Sequence, residues 1–345
     1  MSKRILLALS HSIEEFDQLK LLSGLGYEVA SLGGYIDPSH PHDDKRPALP
    51  AVPMVPAVKE AVDALGTDDN LGAAQANIPD AIFDWLGSDG IIIYHHYLER
   101  LFGQWPRVKD WMRGGGRVIW RSVGQSVEHN ERLAAPYRRA GLERVAYSPK
   151  EANIPGYSGH DAIIRFYKDP AEWDGWTGSE PVVINVTQHL RARHPYTNYT
   201  FWDESTRGLT RMALGPGSEV HGGTGPLSED DMKGWLRKAR SYLYTGTQPA
   251  SYTLGLIEAM MTGIPVVSIG PSYMGVFPYG PDLFEGHEIA IASAHDPEEA
   301  HGMLAHLLDN RGVAHEASRR TRERALELFG KEKIAAEWRA FLGTP

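Results

Sequence analysis

The chain has 345 residues, 42% of them hydrophobic and 23% charged, a globular balance that excludes a fibrous or disordered polymer. Lys and Arg number 35 against 44 Asp and Glu, and the net charge of −9 argues against tight non-specific binding to nucleic acid while leaving room for a local basic pocket. The absence of Cys removes disulfides, thiolate metal sites and Cys nucleophiles together, and the length suits two domains better than one.

In chain order, short apolar runs alternate with helical periodicity. Residues 5–10 predict a buried strand, 13–25 a helix with apolar Ile13, Phe16, Leu19, Leu22 and Leu25, and 27–32 a second strand after the turn at Gly26. The apolar stretch at 5–9 is too short for a secretory leader and no run approaches the roughly 18 residues of a membrane span, so a cytoplasmic protein is expected. Residues 35–56, rich in Pro, His and Asp, predict a long loop. Helices near 57–65 and 73–86 return the chain to the sheet. Strand 90–94, helix 98–112, the glycine break at 114–116, strand 117–123, helix 127–139 and strand 144–147 follow. Such runs with helices between them predict βαβ units on a parallel sheet.

A polar stretch at 167–181, interrupted by two Pro and two Gly, marks a boundary. The expected division is a Rossmann-like domain at 1–168, a linker at 169–181, a second Rossmann-like domain at 182–330 and a last helix at 331–345. The second half predicts strands at 182–186, 212–214, 241–244, 265–269 and 288–292 and helices at 203–211, 252–262, 297–308 and 313–342. A further helix begins at Ser228, where Asp231 three positions on approximates a capping box. Ligands on such sheets sit beyond the C-terminal strand edges.

The stretch 245–270 carries the most chemistry. It reads as a strand end, a polar loop, a helix, a glycine stop and a buried strand. Ser251 or Thr253 can cap the helix, whose N-terminal N–H groups and positive dipole end favour an anion. Glu258 lies among Leu254, Leu256, Ile257, Ala259 and Met260, where a carboxylate needs an ion-pair partner or a polyol; ribose hydroxyls beside a diphosphate would serve. The plain alternative is an amphipathic helix with one solvated Glu. Gly263 is expected to end the helix in the left-handed conformation, and Pro265 to prevent its continuation.

Residues 249–267 resemble the donor-nucleotide motif of GT-B glycosyltransferases, especially the retaining family-4 type, in which a Pro-Ser loop leads to Phe-Gly-Leu, Glu-Ala-Met and Gly-x-Pro-Val-Val. In that family two glutamates stand eight positions apart and the second binds ribose. Glu258 matches the second, but the first falls on Ala250, a departure that leaves the sugar and the retaining outcome open. Family members also carry Gly-Arg after the first strand of the second domain, with Lys five residues after the Arg, both reaching the diphosphate. Here Gln188 takes the Arg position and Arg193 the Lys position, with Arg191 as an alternative; either Arg also reads as a solvated loop charge. The resemblance places Ser251, Tyr252, Thr253 and Leu254 around the donor and the loop containing Gly222 beside the base. It implies two Rossmann-like α/β domains facing across a cleft, a last helix packing back on the first domain, and hexosyl or related transfer from a UDP- or GDP-sugar. The donor is then a substrate, with no cofactor and no catalytic metal.

Three histidines are the candidates on the acceptor side. Strand 91–94 delivers His95 and His96 to its C-terminal edge, and His11 stands where the family usually has a glycine pair. His95 and His96 can each orient a hydroxyl or serve as a base if the reaction inverts, and each also reads as a hydrogen-bonded strand-end residue, while His11 marks a departure that leaves the acceptor pocket open. Asp37, His40, His42, Asp43 and Asp44 are metal-ligand types without a spacing that fixes a geometry, so a loop is expected. Helix 98–112, apolar on one side and basic on the other, suits a membrane surface or a sheet-covering helix, and its spacing favours the latter; Trp338, Phe341 and Leu342 read as packing too. The acceptor is open among glycan, lipid, small molecule, protein and modified nucleic-acid base. A nucleotide-sugar epimerase or hydrolase of the same architecture and a non-catalytic nucleotide-sugar module are the alternatives. A dinucleotide dehydrogenase lacks its glycine fingerprint.

Overall fold

Strands buried on both faces read as unbroken apolar runs, and those runs became parallel strands covered by helices. The computed structural model describes residues 2–8, 12–32, 55–65, 77–95, 98–124, 127–270, 273, 283 and 291–345. It divides into two compact units, Met1–Ile164 with Ala335–Pro345, and Arg165–Ile334.

The first unit holds a six-stranded, wholly parallel sheet of β1 (Arg4–Ala8), β2 (Glu28–Ser31), β3 (Ile91–Tyr94), β4 (Arg117–Arg121), β5 (Glu143–Ala146) and β6 (Ala162–Ile163), in the spatial order β2-β1-β3-β4-β5-β6. Helices α1 (Ser12–Gly24), α2 (Pro56–Leu65), α3 (Asp80–Leu86), α4 (Leu98–Gly103), α5 (Trp105–Arg113) and α6 (Glu128–Arg138) surround it. Leu6, Ile92, Val118 and Trp120 meet Ile82, Leu86, Leu101 and Val108 in one buried cluster. Each such side chain contributes about 1.5–3 kcal/mol on burial. The basic helix of the sequence is two helices: Pro106 has no N–H for the carbonyl one turn back, and the chain breaks at Gln104. Its apolar face is core, and its cations pair locally, Arg107 with Asp80 at 2.7 Å and Arg113 with Asp110 at 2.6 Å.

Buried charges tie this unit together. Arg144 on β5 meets Glu131 of α6 at 2.6 Å and Glu151 at 3.7 Å, all three side chains fully buried. Glu131 Oε2 accepts from Ser158 N and Oγ at 2.9 and 3.0 Å, and Glu151 Oε2 accepts from Ser122 Oγ at 2.7 Å. Arg121 faces Glu14 at 3.6 Å and donates to the Ile164 carbonyl. Its guanidinium lies 5.6 Å from the ring of Trp338, which belongs to the closing segment of the unit.

The second unit has a five-stranded parallel sheet of β7 (Glu180–Val186), β8 (Arg211–Leu214), β9 (Ala239–Tyr244), β10 (Val266–Ile269) and β11 (Ile291–Ala294), ordered β11-β10-β9-β7-β8. Its helices are α7 (Tyr199–Ser205), α8 (Glu229–Lys238), α9 (Leu254–Thr262), α10 (Pro297–Asp309), α11 (Arg311–Phe329) and the start of α12 (Lys331–Leu342). Both sheets therefore reverse direction beside their first strand, the doubly wound arrangement whose ligand crevice lies at the C-terminal ends of the strands that part. Helix α7 precedes the span predicted at 203–211, because the chain unwinds after Ser205 through Thr206 and Gly208 (φ 81°). The C-terminal helix is likewise interrupted, at Gly330, whose added Cβ would lie 2.4 Å from the Leu326 carbonyl oxygen. Ser228 caps α8 as expected, accepting from Asp231 N at 3.1 Å.

Burial pushes the Glu151 carboxyl above its usual range, against the pull of Arg144. The folded carboxyl thus binds its proton more tightly than the unfolded one, so this group's stabilisation is complete below the ordinary carboxylate range and fades as pH rises through the folded value. Urea denaturation is expected to show Glu151→Gln gaining on the wild type as pH rises above the ordinary carboxylate value of about 4.3. Arg144→Met, which strands two buried carboxyls, should lose about 3–5 kcal/mol.

Candidate functional site

In the second unit β7 and β9 are the strands that part, and the loops beyond them are fastened together. Asn185 on β7 donates from Nδ2 to the Leu243 carbonyl at 2.8 Å. The loop after β7 reaches the loop after β9 through Asn198 Nδ2 to Thr245 O at 2.8 Å and Gln248 N to Tyr196 O at 2.7 Å. It reaches the loop after β8 through His189 N to Pro216 O at 2.7 Å. Glycines make the closeness possible: a Cβ on Gly217 would lie 2.5 Å from His189 Nδ1, and one on Gly223 would lie 2.3 Å from the Ala213 carbonyl oxygen.

Helix α9 starts in the middle of this assembly. Of the two caps the sequence allows, Thr253 is the N-cap, its hydroxyl accepting from Leu256 N at 3.4 Å, and Gly263 ends the helix at φ 91° as expected. Gly255, in the first turn, lets the helix approach the end of β7; a Cβ there would be 3.4 Å from the Val186 carbonyl oxygen. The first-turn N–H groups of Leu254 and Gly255 have no intrahelical acceptor, which makes this end attractive to an anion. Ser251 and Tyr252 are buried. The Tyr252 ring faces inward, 6.1 Å from Phe166 and 5.6 Å from Phe329, and so packs the loop's underside. Ala250 is 7% exposed, its N–H donating to Thr247 O.

Glu258 is buried one turn into α9, and its Oε1 stands 2.7 Å from Nζ of Lys168. Sequence reasoning missed Lys168. The only available signal was the need of a carboxylate on an apolar helix for some cation. Burial, followed by the field of Glu258, raises the Tyr242 hydroxyl pKa on neighbouring β9.

The cations of the loop after β7 are both exposed but differently placed. Arg193 folds back on its own turn, Nη1 to Gln188 O at 3.3 Å, and Gln188 is exposed beside it. Arg191 lies 5.7 Å from the ring of Tyr199, whose ring is 5.6 Å from that of His221. Burial, then Arg191 and Arg211, lower the pKa of His221 and favour the neutral imidazole. Gly222 follows in the left-handed conformation at φ 79°. The site gathers a helix N-terminus, a buried carboxylate and two exposed guanidinium groups around one strand edge.

In the first unit the parting strands are β1 and β3. His95 stands there, 1% exposed, its main-chain N–H directed at the Ala8 carbonyl at 3.4 Å. His11, His96 and the acidic and histidine-rich loop at 35–56, apart from its last two residues, lie outside the described residues. Among the described residues no three His, Cys, Asp or Glu side chains group as metal ligands, and no helix is long and apolar enough to cross a membrane.

No protein-family model and no curated protein matches the chain in sequence. Solved structures do match in fold. HepE of Anabaena in complex with UDP is similar with a TM-score of 0.67 at 11% identity, over 100% of both chains. An alpha-glucosyltransferase in complex with UDP and a 13-mer DNA containing an HMU base gives 0.59 at 12% identity, over 99% of this chain and 100% of that one. TarM of S. aureus gives 0.55 at 13% identity over 76% of this chain, which spans 58% of the length of TarM. At these identities the likeness shows the fold, two Rossmann-like parallel sheets of the GT-B kind.

The loop packing predicts opposite signs for one substitution. Gly223→Ala should lower the stability of the second unit by about 1–3 kcal/mol through overpacking. Gly234→Ala, on α8 with nothing within 4 Å of the added Cβ, should raise it by about 0.5–1 kcal/mol. Thermal denaturation of the two variants compares them directly.

Proposed function

We propose that the protein is a glycosyltransferase moving a hexosyl or related group from a UDP- or GDP-sugar to an acceptor hydroxyl. The observation that carries this reading is the capped start of α9 at the point where β7 and β9 part, with Glu258 buried one turn inside. That end suits a diphosphate, the carboxylate suits ribose hydroxyls, and the UDP held by structures of the same fold is consistent with both.

The chemistry follows from where charge develops. As the bond from the anomeric carbon to the diphosphate oxygen breaks, its electron pair leaves with the diphosphate. The helix start and Arg193, with Arg191 as the alternative, stabilise that charge without a metal. The acceptor hydroxyl oxygen bonds the anomeric carbon on the same face, giving retention, and its proton passes to the departing diphosphate oxygen. In the first unit His95 is assigned to the acceptor side, where it orients the attacking hydroxyl. A second reading, nucleotide-sugar binding without transfer, is favoured by Ala250, which puts a methyl group where the resemblance has a carboxylate.

Thermal denaturation against a panel of nucleotide sugars tests the donor class. A true donor at a hundred times its dissociation constant should add about 2.7 kcal/mol, and a panel without any shift rejects the reading. Glu258→Gln should weaken nucleotide binding by about tenfold or more in calorimetry. Arg193→Ala should lower kcat by about tenfold or more with less effect on binding, and an unaltered rate passes the role to Arg191. Binding with no sugar transferred to any acceptor would select the second reading.

A further inference from the structure

The partner of Glu258 is as firmly held as the carboxylate itself. The Lys168 side chain is 1% exposed and that of Glu258 4%. Lys168 is bridged through its main chain to Gly330, its N–H directed at the Phe329 carbonyl at 3.3 Å. Its ammonium lies 5.2 Å from the centroid of Trp173, a ring that Lys233 approaches at 4.8 Å. The Trp173 carbonyl is in turn bound by Arg322, which also donates to the carbonyls of Met261, at the end of α9, and Pro170. The next residue, Asp169, takes Lys331 at 2.8 Å. Lys168 therefore reaches α9 from a strap fixed at several points, with little freedom to withdraw.

We propose that Lys168 is a positioning residue for ribose recognition: its ammonium holds Glu258 Oε1 and fixes the plane in which the carboxylate meets the sugar hydroxyls. This rests on the donor site proposed above and adds to it the residue that sets the geometry. A carboxylate has about four acceptor positions, so an ion pair at one oxygen is compatible with two hydroxyl donors. A carboxylate left to choose among its rotamers would have to be ordered by each incoming nucleotide, whereas one pinned by a buried cation is already in place. The Thr262 hydroxyl, donating to the Glu258 carbonyl at 2.8 Å, steadies the main chain beneath it.

The test separates positioning from a purely structural clamp by changing the ligand as well as the protein. Binding of UDP and of 2′,3′-dideoxyuridine diphosphate is measured by calorimetry on the wild type, Glu258→Gln and Lys168→Met; the guanosine pair replaces it if GDP is what binds the wild type. The wild type should prefer the ribose ligand by about tenfold or more. In Lys168→Met the preference should fall to about twofold or less, with affinity for the dideoxy ligand nearly unchanged. An unchanged preference, or equal loss of both ligands, overturns the positioning role. If Lys168→Met does not fold, Lys168→Gln is judged by the same criterion. A preference that survives in Glu258→Gln would instead reject the ribose site itself, and the two failures are thereby told apart.

Discussion

An ionised side chain inside an apolar layer has to be met by an opposite charge, and both units are organised around that constraint. In the second it is the contact of Lys168 with Glu258. In the first it is Arg144 between Glu131 and Glu151, with Arg121 facing Glu14. Removing one member of such a set is costly, yet replacing the whole set by well-packed apolar residues is often neutral or stabilising. Helix α9 is apolar along most of its length, so a leucine at position 258 would pack without requiring any partner at 168. Stability alone therefore does not account for the pair, whereas the polyol recognition proposed for Glu258 would.

The strands of both sheets were legible because parallel strands covered on both faces are written as short unbroken apolar runs: Ile91 to Tyr94 could hardly be anything else. The ends of α9 were legible for a similar reason, since Thr253 and Gly263 act within a turn of their own positions. Helix breaks were harder. Pro106 split a helix expected to run unbroken over 98–112, and Gly330 interrupts a run whose apolar periodicity continues on both sides, where only its fit against Leu326 shows why. The short α7 was displaced because its start at Asn198, a non-glycine residue at φ 52°, depends on the neighbouring loop after β9.

Lys168 was not legible at all, for a physical reason. The segment 167–181 is polar in composition and carries its own turn residues, so local reading makes it a connector. Its lysine and Trp173 are nonetheless buried, and Arg322 binds two of its carbonyls. The pairing of residues 90 positions apart is decided by packing, and sequence could state only that Glu258 needed a cation or a polyol. The arginines divide in the same way. Arg121, Arg144, Arg240 and Arg322 are engaged by carboxylates or carbonyls within the fold, as their burial or half-burial shows, while Arg191 and Arg193 keep exposed guanidinium groups at the strand edge.

That division bears on how a donor would be recognised. Loops after β7, β8 and β9 fastened to each other by main-chain contacts form a site whose shape exists before the ligand arrives, so little ordering is left to oppose binding. Such a frame suits the invariant part of a nucleotide sugar, its diphosphate and ribose, which present the same groups whatever sugar is attached. Discrimination among sugars needs side chains aimed beyond the diphosphate, and at position 250, where the resemblance supplies a carboxylate, this chain offers a buried methyl group. On the proposed function, hydrogen bonding to the transferred sugar would come from other residues, and a donor with fewer demands at that position would fit the site better than one that requires the missing carboxylate.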